Sequence, residues 1–447
     1  MGSFFQRGGI RGAVLILGAI FVLGAVAFPF LNARITNWVD GSGFQAMLDH
    51  ETSKGLKLTG HYTPLTRVGF LGMKTDSFTG TDGEKTIVTL KVEDISGSFN
   101  PLGFFLQRWQ VDDIHGRTGT VMLQKTETTP GAKSPGKPWW GWVWPYRVHL
   151  TDVKIDDANI LWKLKEKESG IYHTFLEIGP NGHDFEYDAH GGEFKTPMSP
   201  DLEMRHAHVL IRKPRLYAAE LVLGDDDAHP ERGLRVVGDA GLQEDRSMNL
   251  KIDLKALNVS PWLPVKMRAH VAGHADGHFD YASSGTGLET GKGKGTLTVT
   301  ECVLKNLPAI QKYVTLTGSP DPGDLKLTVC QADVIWDGGA VTLQNLNVES
   351  EGVFRLTGTL TMAKDKSLSG QVELGLTDPY IKWLPTAKSA IFTRQEGDYH
   401  FTVIHFSGTS EKPEQDLSTR VAVEVEKSPG TTLKLFFHQA ADWFDFN

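Results

Sequence analysis

Cysteine is scarce, positive charge is not in excess, only one long apolar run occurs, and familiar catalytic signatures are missing. Each shortage removes a class of function. Two cysteines, Cys302 and Cys330, in 447 residues rule out a disulfide scaffold or a cysteine-built metal domain. Both lie in strand-like runs. They form either a cross-strand disulfide in an oxidising compartment or two buried thiols. A formal net charge of −8 argues against nucleic acid, which needs a basic face to neutralise phosphates. The chain has no G-x-S-x-G, no P-loop and no Cys–His pairing, so no nucleophile or phosphate cradle is announced. No cofactor and no enzymatic activity are expected.

What the chain has is alternation. It is 40% hydrophobic and 22% charged, with 48 glycines, a mix that favours many strands joined by tight turns. In VFRLTGTLTMAKDKSLSGQVELGL (353–376), Phe354, Leu356, Gly358, Leu360 and Met362 alternate with Arg355, Thr357, Thr359 and Thr361. After the turn, Leu368, Gly370, Val372, Leu374 and Leu376 resume the same pattern. A period of two predicts a β-hairpin with one apolar face and one wet face. That apolar face needs a cover, and helices long enough to supply one are few. Either a second sheet closes over it, giving a dry sandwich, or a curved sheet leaves a trough for acyl chains.

Residues 13–31, AVLILGAIFVLGAVAFPFL, carry no charge and follow Arg7 and Arg11. About 18 or more apolar residues suffice to span a bilayer, and the flanking arginines place the N-terminus in the cytoplasm. Ala25-Val26-Ala27 also fits a signal-peptide cleavage site. The apolar run continues through Phe28, Phe30 and Leu31, which favours an uncleaved anchor. Either way the bulk of the chain is exported.

Further along, residues 32–58 read as a helix running into a strand, with Phe44, Met47 and Leu48 on one face. Strands follow at 86–99, 108–125 and 147–164, and 126–138 is a Pro/Gly/Lys loop. In WWGWVWPYRVHL, Trp140, Trp142 and Trp144 share a parity with Tyr146, Val148 and Leu150. That face is either a core strand packed by aromatics or the lining of an apolar groove. KIDLKALNVSPWLPVKMRAHVAGHADGHFDY (251–281) echoes VELGLTDPYIKWLPTAKSAIFTRQEGDYHF (372–401), each with a strand, a Trp-Leu-Pro and a second strand. A short amphipathic helix falls near 307–314. The 325–350 segment is a hairpin turning at Asp337-Gly338-Gly339. At the C-terminus, Phe436, Phe437, Ala440, Ala441 and Phe444 have helical spacing.

Three polar clusters have residue types that could carry chemistry. His270, His274 and His278 recur every four residues, but Gly273 and Gly277 oppose a helix. On a strand the outer two sit roughly 26 Å apart, too far for one ion. LGDDDAHP (223–230) lacks the glycine and terminal glutamate of a calcium loop and reads as a solvated turn. HDFEYDAHGG (183–192) carries His183, Asp184, Glu186, Asp188 and His190, and reads as an exposed polar loop. No metal site is expected.

After the single N-terminal span, VEDISGSFNPLGFFLQRWQVDDIHGRTGTVMLQ (92–124) resembles the N-terminal module of AsmA-like proteins. GTLTVTECVLKNLPAI (295–310), with the segment from Ala332 to Leu376, is similar to that family's C-terminal module. FSGTSEKPEQDLS (406–418) resembles the way that module closes. The resemblance covers most of the chain, is weakest over 165–245, and rests on a rhythm of Gly, Leu and alternation. It implies a periplasmic protein anchored in the inner membrane of diderm bacteria, with curved antiparallel sheets forming an apolar groove that handles phospholipids.

The expected architecture is mostly β: a single N-terminal transmembrane helix, then elongated, curved antiparallel sheet with a few short helices. The expected divisions are a cytoplasmic 1–12, an anchor at 13–31, an N-terminal β module at 32–165, a central β region at 166–250, a C-terminal β module at 251–425 and a C-terminal segment at 426–447. Phe354, Leu356, Leu360, Met362, Val372, Leu374 and Leu376, with Trp140, Trp142 and Trp144, are the candidate groove lining. The expected partners are phospholipids and the inner membrane. The alternative is a scaffold for outer-membrane proteins with a closed core, bound to an outer-membrane or periplasmic protein through an edge strand or the aromatic patch.

Overall fold

Alternation becomes strand along most of the chain. A computed structural model describes residues 32–426 apart from 35, 38–39, 70, 84–86, 101, 106–107, 125–147, 165–166, 183, 198, 213–214, 225–228, 242–246, 286–289, 385–387 and 411. The 13–31 anchor, Trp140, Trp142 and Trp144, the centre of the acidic run at 223–230, and the helix expected near Phe444 lie outside the described residues. Among the described residues, no helix is long and apolar enough to cross a membrane. The chain divides into two compact units, the first ending at Gly182 and the second beginning at His183.

In the first unit, helix α1 (Ser42–Leu56) precedes strands β1 (Thr59–Tyr62), β2 (Thr66–Val68), β3 (Gly72–Thr81) and β4 (Ile87–Asn100). A single-turn helix, α2 (Leu102–Phe105), leads to β5 (Trp109–Leu123), β6 (Val148–Leu150), β7 (Val153–Leu164) and β8 (Lys167–Asn181). The spacing of Phe44 and Leu48 puts both on one face of α1, where they are buried with Leu65, Met73 and Val111. Met47 packs against this cluster. The helix stops at Lys57, which adopts a left-handed φ of 59° and returns its N–H to Ser53 O. β1 and β2 pair with β3, then β4 and β5 follow, all antiparallel.

The antiparallel expectation fails at β5. This strand takes β6 and β7 in parallel register, with Trp109 opposite Val148 and Ile114 opposite Val153. The sheet is therefore mixed. Parallel pairing needs a connection of about a dozen residues or more, and the stretch between Leu123 and Val148 is long enough to carry the chain back to the start of β5.

The second unit contains β9 (Asp184–His190), β10 (Glu193–Lys195), β11 (Leu202–Arg212), β12 (Arg215–Gly224), β13 (Gly233–Gly241) and β14 (Met248–Asn258). After a 3-10 turn and α3 (Val265–Arg268) come β15 (Val271–Ser283), β16 (Gly291–Leu304), α4 (Pro308–Thr317), β17 (Leu325–Lys326), β18 (Val329–Asp337) and β19 (Ala340–Ser350). The unit ends with β20 (Phe354–Met362), β21 (Leu368–Thr377), α5 (Asp378–Ile381), α6 (Lys388–Ile391), β22 (Arg394–Glu396), β23 (Tyr399–Gly408), β24 (Pro413–Gln415) and α7 (Leu417–Glu426). The long strands make one antiparallel ladder: β9, β11, β12, β13, β14, β15, β16, β18, β19, β20, β21, β23. The two Trp-Leu-Pro echoes occupy equivalent places. Each follows a strand, β14 or β21, and precedes its antiparallel partner, β15 or β23.

Bulges keep this ladder amphipathic. Ala256 (φ 45°) and Asn345 (φ 49°) sit where the register slips, so Leu254 opposes Gly277 while Leu257 opposes Ala275, and Leu343 opposes Leu360 while Leu346 opposes Gly358. The extra residue resets the alternation, and apolar side chains three apart return to the same face. Cys302 and Cys330 are free thiols on β16 and β18, and the hydrogen bond with Cys330, together with burial, pushes the Cys302 thiol up.

Candidate functional site

Cross-strand neighbours share a face of a sheet, so the register defines the two surfaces of the second unit. One row runs Val236, Ile252, Phe279, Gly295, Val334, Leu343, Leu360, Gly370, Phe406 across nine strands. Every member is apolar or glycine. The adjacent row on the other face contains Arg235, Asp253, His278, Thr296 and Asp333. At about 4.8 Å per strand, the apolar row is roughly 40 Å long.

At the β20–β21 end this face deepens into an apolar cavity of about 460 Å³. The hairpin register is the one alternation predicts: Phe354 opposite Leu376, Leu356 opposite Leu374, Gly358 opposite Val372. Phe354, Leu356, Leu374 and Leu376 form one wall of the cavity. Leu304 from β16 and Ile310, Tyr313 and Val314 from α4 form another. β23 contributes Ile404 and Phe406, while Ile381, Trp383, Phe392, Leu417 and Val421 close the end. Ile381, Phe392 and Val421 belong to a buried cluster with Leu384 and Ile391, so this end is built on packed core.

The remaining hairpin residues lie on the same face but do not line the cavity. Val372 is fully buried (0% exposed) between Gly358 and Ile404. Leu360 stands opposite Leu343, and Met362 opposite Val341 and Leu368. Sequence reasoning missed α4 as a wall and missed Ile404 and Phe406. The signals were the amphipathic spacing of 307–314 and the alternation in YHFTVIHF.

Polar atoms around the cavity are turned onto one another. Tyr313 Oη donates to Tyr380 O, and Trp383 Nε1 donates to Tyr313 Oη (2.9 Å) and to Tyr380 O (3.0 Å). Burial pushes the Tyr313 hydroxyl up, keeping it neutral. Outside the lining, Asp378 at the start of α5 accepts from Lys388 Nζ (2.5 Å) and faces His400 Nε2 (3.0 Å). Lys388 holds the Asp378 carboxyl below its ordinary range. Among the described lining residues none is charged, so what they offer a ligand is dispersion and desolvation.

The histidines of AHVAGHADGH do not converge. His274 faces Glu301 (3.3 Å), His278 faces Asp253 (2.6 Å), and His270 Nδ1 lies 2.9 Å from Lys305 O. The loop expected at 183–192 is instead largely strand, β9. Its Phe185, Tyr187 and Ala189 alternate with charged residues and pair with Ile211, Val209 and Ala207.

Comparison with models of protein families, with curated proteins and with solved structures returned no match for this chain.

Proposed function

We propose that the chain is a non-enzymatic, AsmA-like lipid-handling protein, held at the inner membrane by residues 13–31 with its bulk in the periplasm. Its second unit holds phospholipid acyl chains against the apolar sheet face for outer-membrane biogenesis or lipid homeostasis. The observation that carries this reading is the 460 Å³ apolar cavity at the end of an unbroken apolar row.

The size suits the cargo. At about 30 Å³ per non-hydrogen atom, the volume a water takes in the liquid, the cavity accommodates roughly 15 atoms. Burying about a dozen methylenes contributes roughly 10 kcal/mol before association costs. Those costs run from about 4 to 15 kcal/mol, so acyl burial of this size offsets them over the lower part of that range. Apolar rows beyond the cavity offer the same surface to a chain sliding along the sheet.

Lipid extraction and mass spectrometry on residues 32–447, purified without detergent, test the proposal. Near-stoichiometric phospholipid is expected. A cooperatively folded protein with no lipid above background would reject acyl binding and favour the scaffold alternative.

A further inference from the structure

A second feature lies on the wet face of the second unit. In β9, Glu186, Asp188 and His190 alternate with Phe185, Tyr187 and Ala189. In β11, His206 and His208 flank Ala207. The register sets His206 opposite His190 and His208 opposite Asp188. Pleating therefore brings three imidazoles and two carboxylates onto one patch. His208 Nδ1 is 2.7 Å from Asp188 Oδ1, and its Nε2 is 3.3 Å from Glu186 Oε1. His206 Nε2 is 3.8 Å from the same Asp188 oxygen. The His190 and His206 rings stack at 4.8 Å with 13° between their planes. On the far side, Glu220 of β12 reaches His206 Nδ1 at 3.6 Å.

Paired histidines and carboxylates are common on this protein, as at His278–Asp253 and His405–Asp416. Among the described residues, three or more potential ligands converge only here, in two triads: Asp188–His190–His206 and Glu186–Asp188–His208. Within each triad the ligand atoms lie within 4.8 Å of one another. Four ligands about 2.0–2.1 Å from a tetrahedral zinc stand roughly 3.3 Å apart. The separations in the patch bracket that value, so small side-chain adjustments suffice.

We propose that this patch binds one late first-row divalent ion of the Zn²⁺ class, centred on Asp188, the member common to both triads. Imidazole nitrogen with carboxylate oxygen, and no thiolate, selects Zn²⁺, Ni²⁺ or Cu²⁺ over the oxygen-loving Ca²⁺ and Mg²⁺. The ion clamps β9 to β11 at the start of the ladder, independently of what occupies the apolar face.

The test uses the full chain in detergent, stripped with a chelator and dialysed against ZnCl₂, with bound zinc counted by elemental mass spectrometry. One saturable Zn²⁺ per chain and a raised melting midpoint are expected. Asp188→Asn weakens binding by about tenfold or more, and the double variant His206→Gln/His208→Gln removes saturable binding. His278→Gln, on the same face but outside the patch, binds as the unaltered chain does. Circular dichroism checks that each variant is folded. Absence of saturable zinc on the unaltered chain overturns the proposal whatever the variants do. So does zinc binding that a folded Asp188→Asn and the folded double variant leave unchanged.

Discussion

Replacing Leu374 with tryptophan asks whether acyl chains enter the cavity. Leu374 lines it and stands opposite Leu356 on one side and Thr402 on the other. Tryptophan carries about six more non-hydrogen side-chain atoms and displaces roughly that many methylenes, at about 0.8 kcal/mol each, so acyl binding weakens by about 5 kcal/mol, or roughly 10³-fold. The fold survives, because the added ring occupies space already present. Val372→Trp is the contrast. Val372 is fully buried, and overpacking such a site costs about 1–3 kcal/mol or more. The assay pairs displacement of a fluorescent fatty acid with thermal unfolding. A folded Leu374→Trp that binds as tightly as the unaltered protein refutes the cavity as the acyl site. Leu374→Trp and Val372→Trp unfolding alike refutes the cavity itself.

Two further outcomes follow from the same geometry. Gly358 has a φ of 152°, and a Cβ there would meet Gln371 O at 2.3 Å, so Gly358→Ala lowers unfolding stability by about 1–3 kcal/mol, measured by urea denaturation. Asp378 is held below its ordinary range by Lys388. Its contribution is therefore fully present above about pH 4, the unfolded carboxylate value, and is lost as pH falls through the lower folded value. The thermal unfolding midpoint should fall in that acid window in the unaltered protein. Asp378→Asn should fall slightly less over that window, because other lowered carboxylates such as Asp112 and Asp416 still titrate there, and a fall unchanged from the unaltered protein would contradict the assignment. The effect is modest, because the side chain is exposed and screened.

Local pattern was legible wherever one face of an element is buried. The whole register of the 354–376 hairpin follows from its alternation, and α1 from the spacing of Phe44 and Leu48. Asp337-Gly338-Gly339 turns as its residues demand, with Gly338 at φ 60° and Gly339 at 96°. Three things were not legible. The parallel pairing of β5 with β7 is a choice of partner, which alternation leaves open. In DFEYDAH the charges drew the reading toward a loop, although Phe185, Tyr187 and Ala189 keep strand period. The imidazole–carboxylate patch depends on His206 and His208 lying beside Asp188 and His190, and register between strands cannot be read from either strand alone. The cavity was half legible: its hairpin wall was named in advance, but the helix and strand opposite arrive only through tertiary packing.

On the proposed function the apolar face itself, and not merely the protein, holds lipid. Site-specific photocrosslinking in cells tests it on the full chain. A photoreactive phenylalanine analogue is placed in turn at Leu356, Leu360 and Leu374 on the apolar face, and at Thr357, Thr359 and Glu373 on the wet face. Lipid adducts, detected by radiolabelled phospholipid on the purified chain, should appear at the first set and be missing from the second. Adducts that ignore the alternation, or that appear at neither set, would mean that the apolar face does not hold lipid.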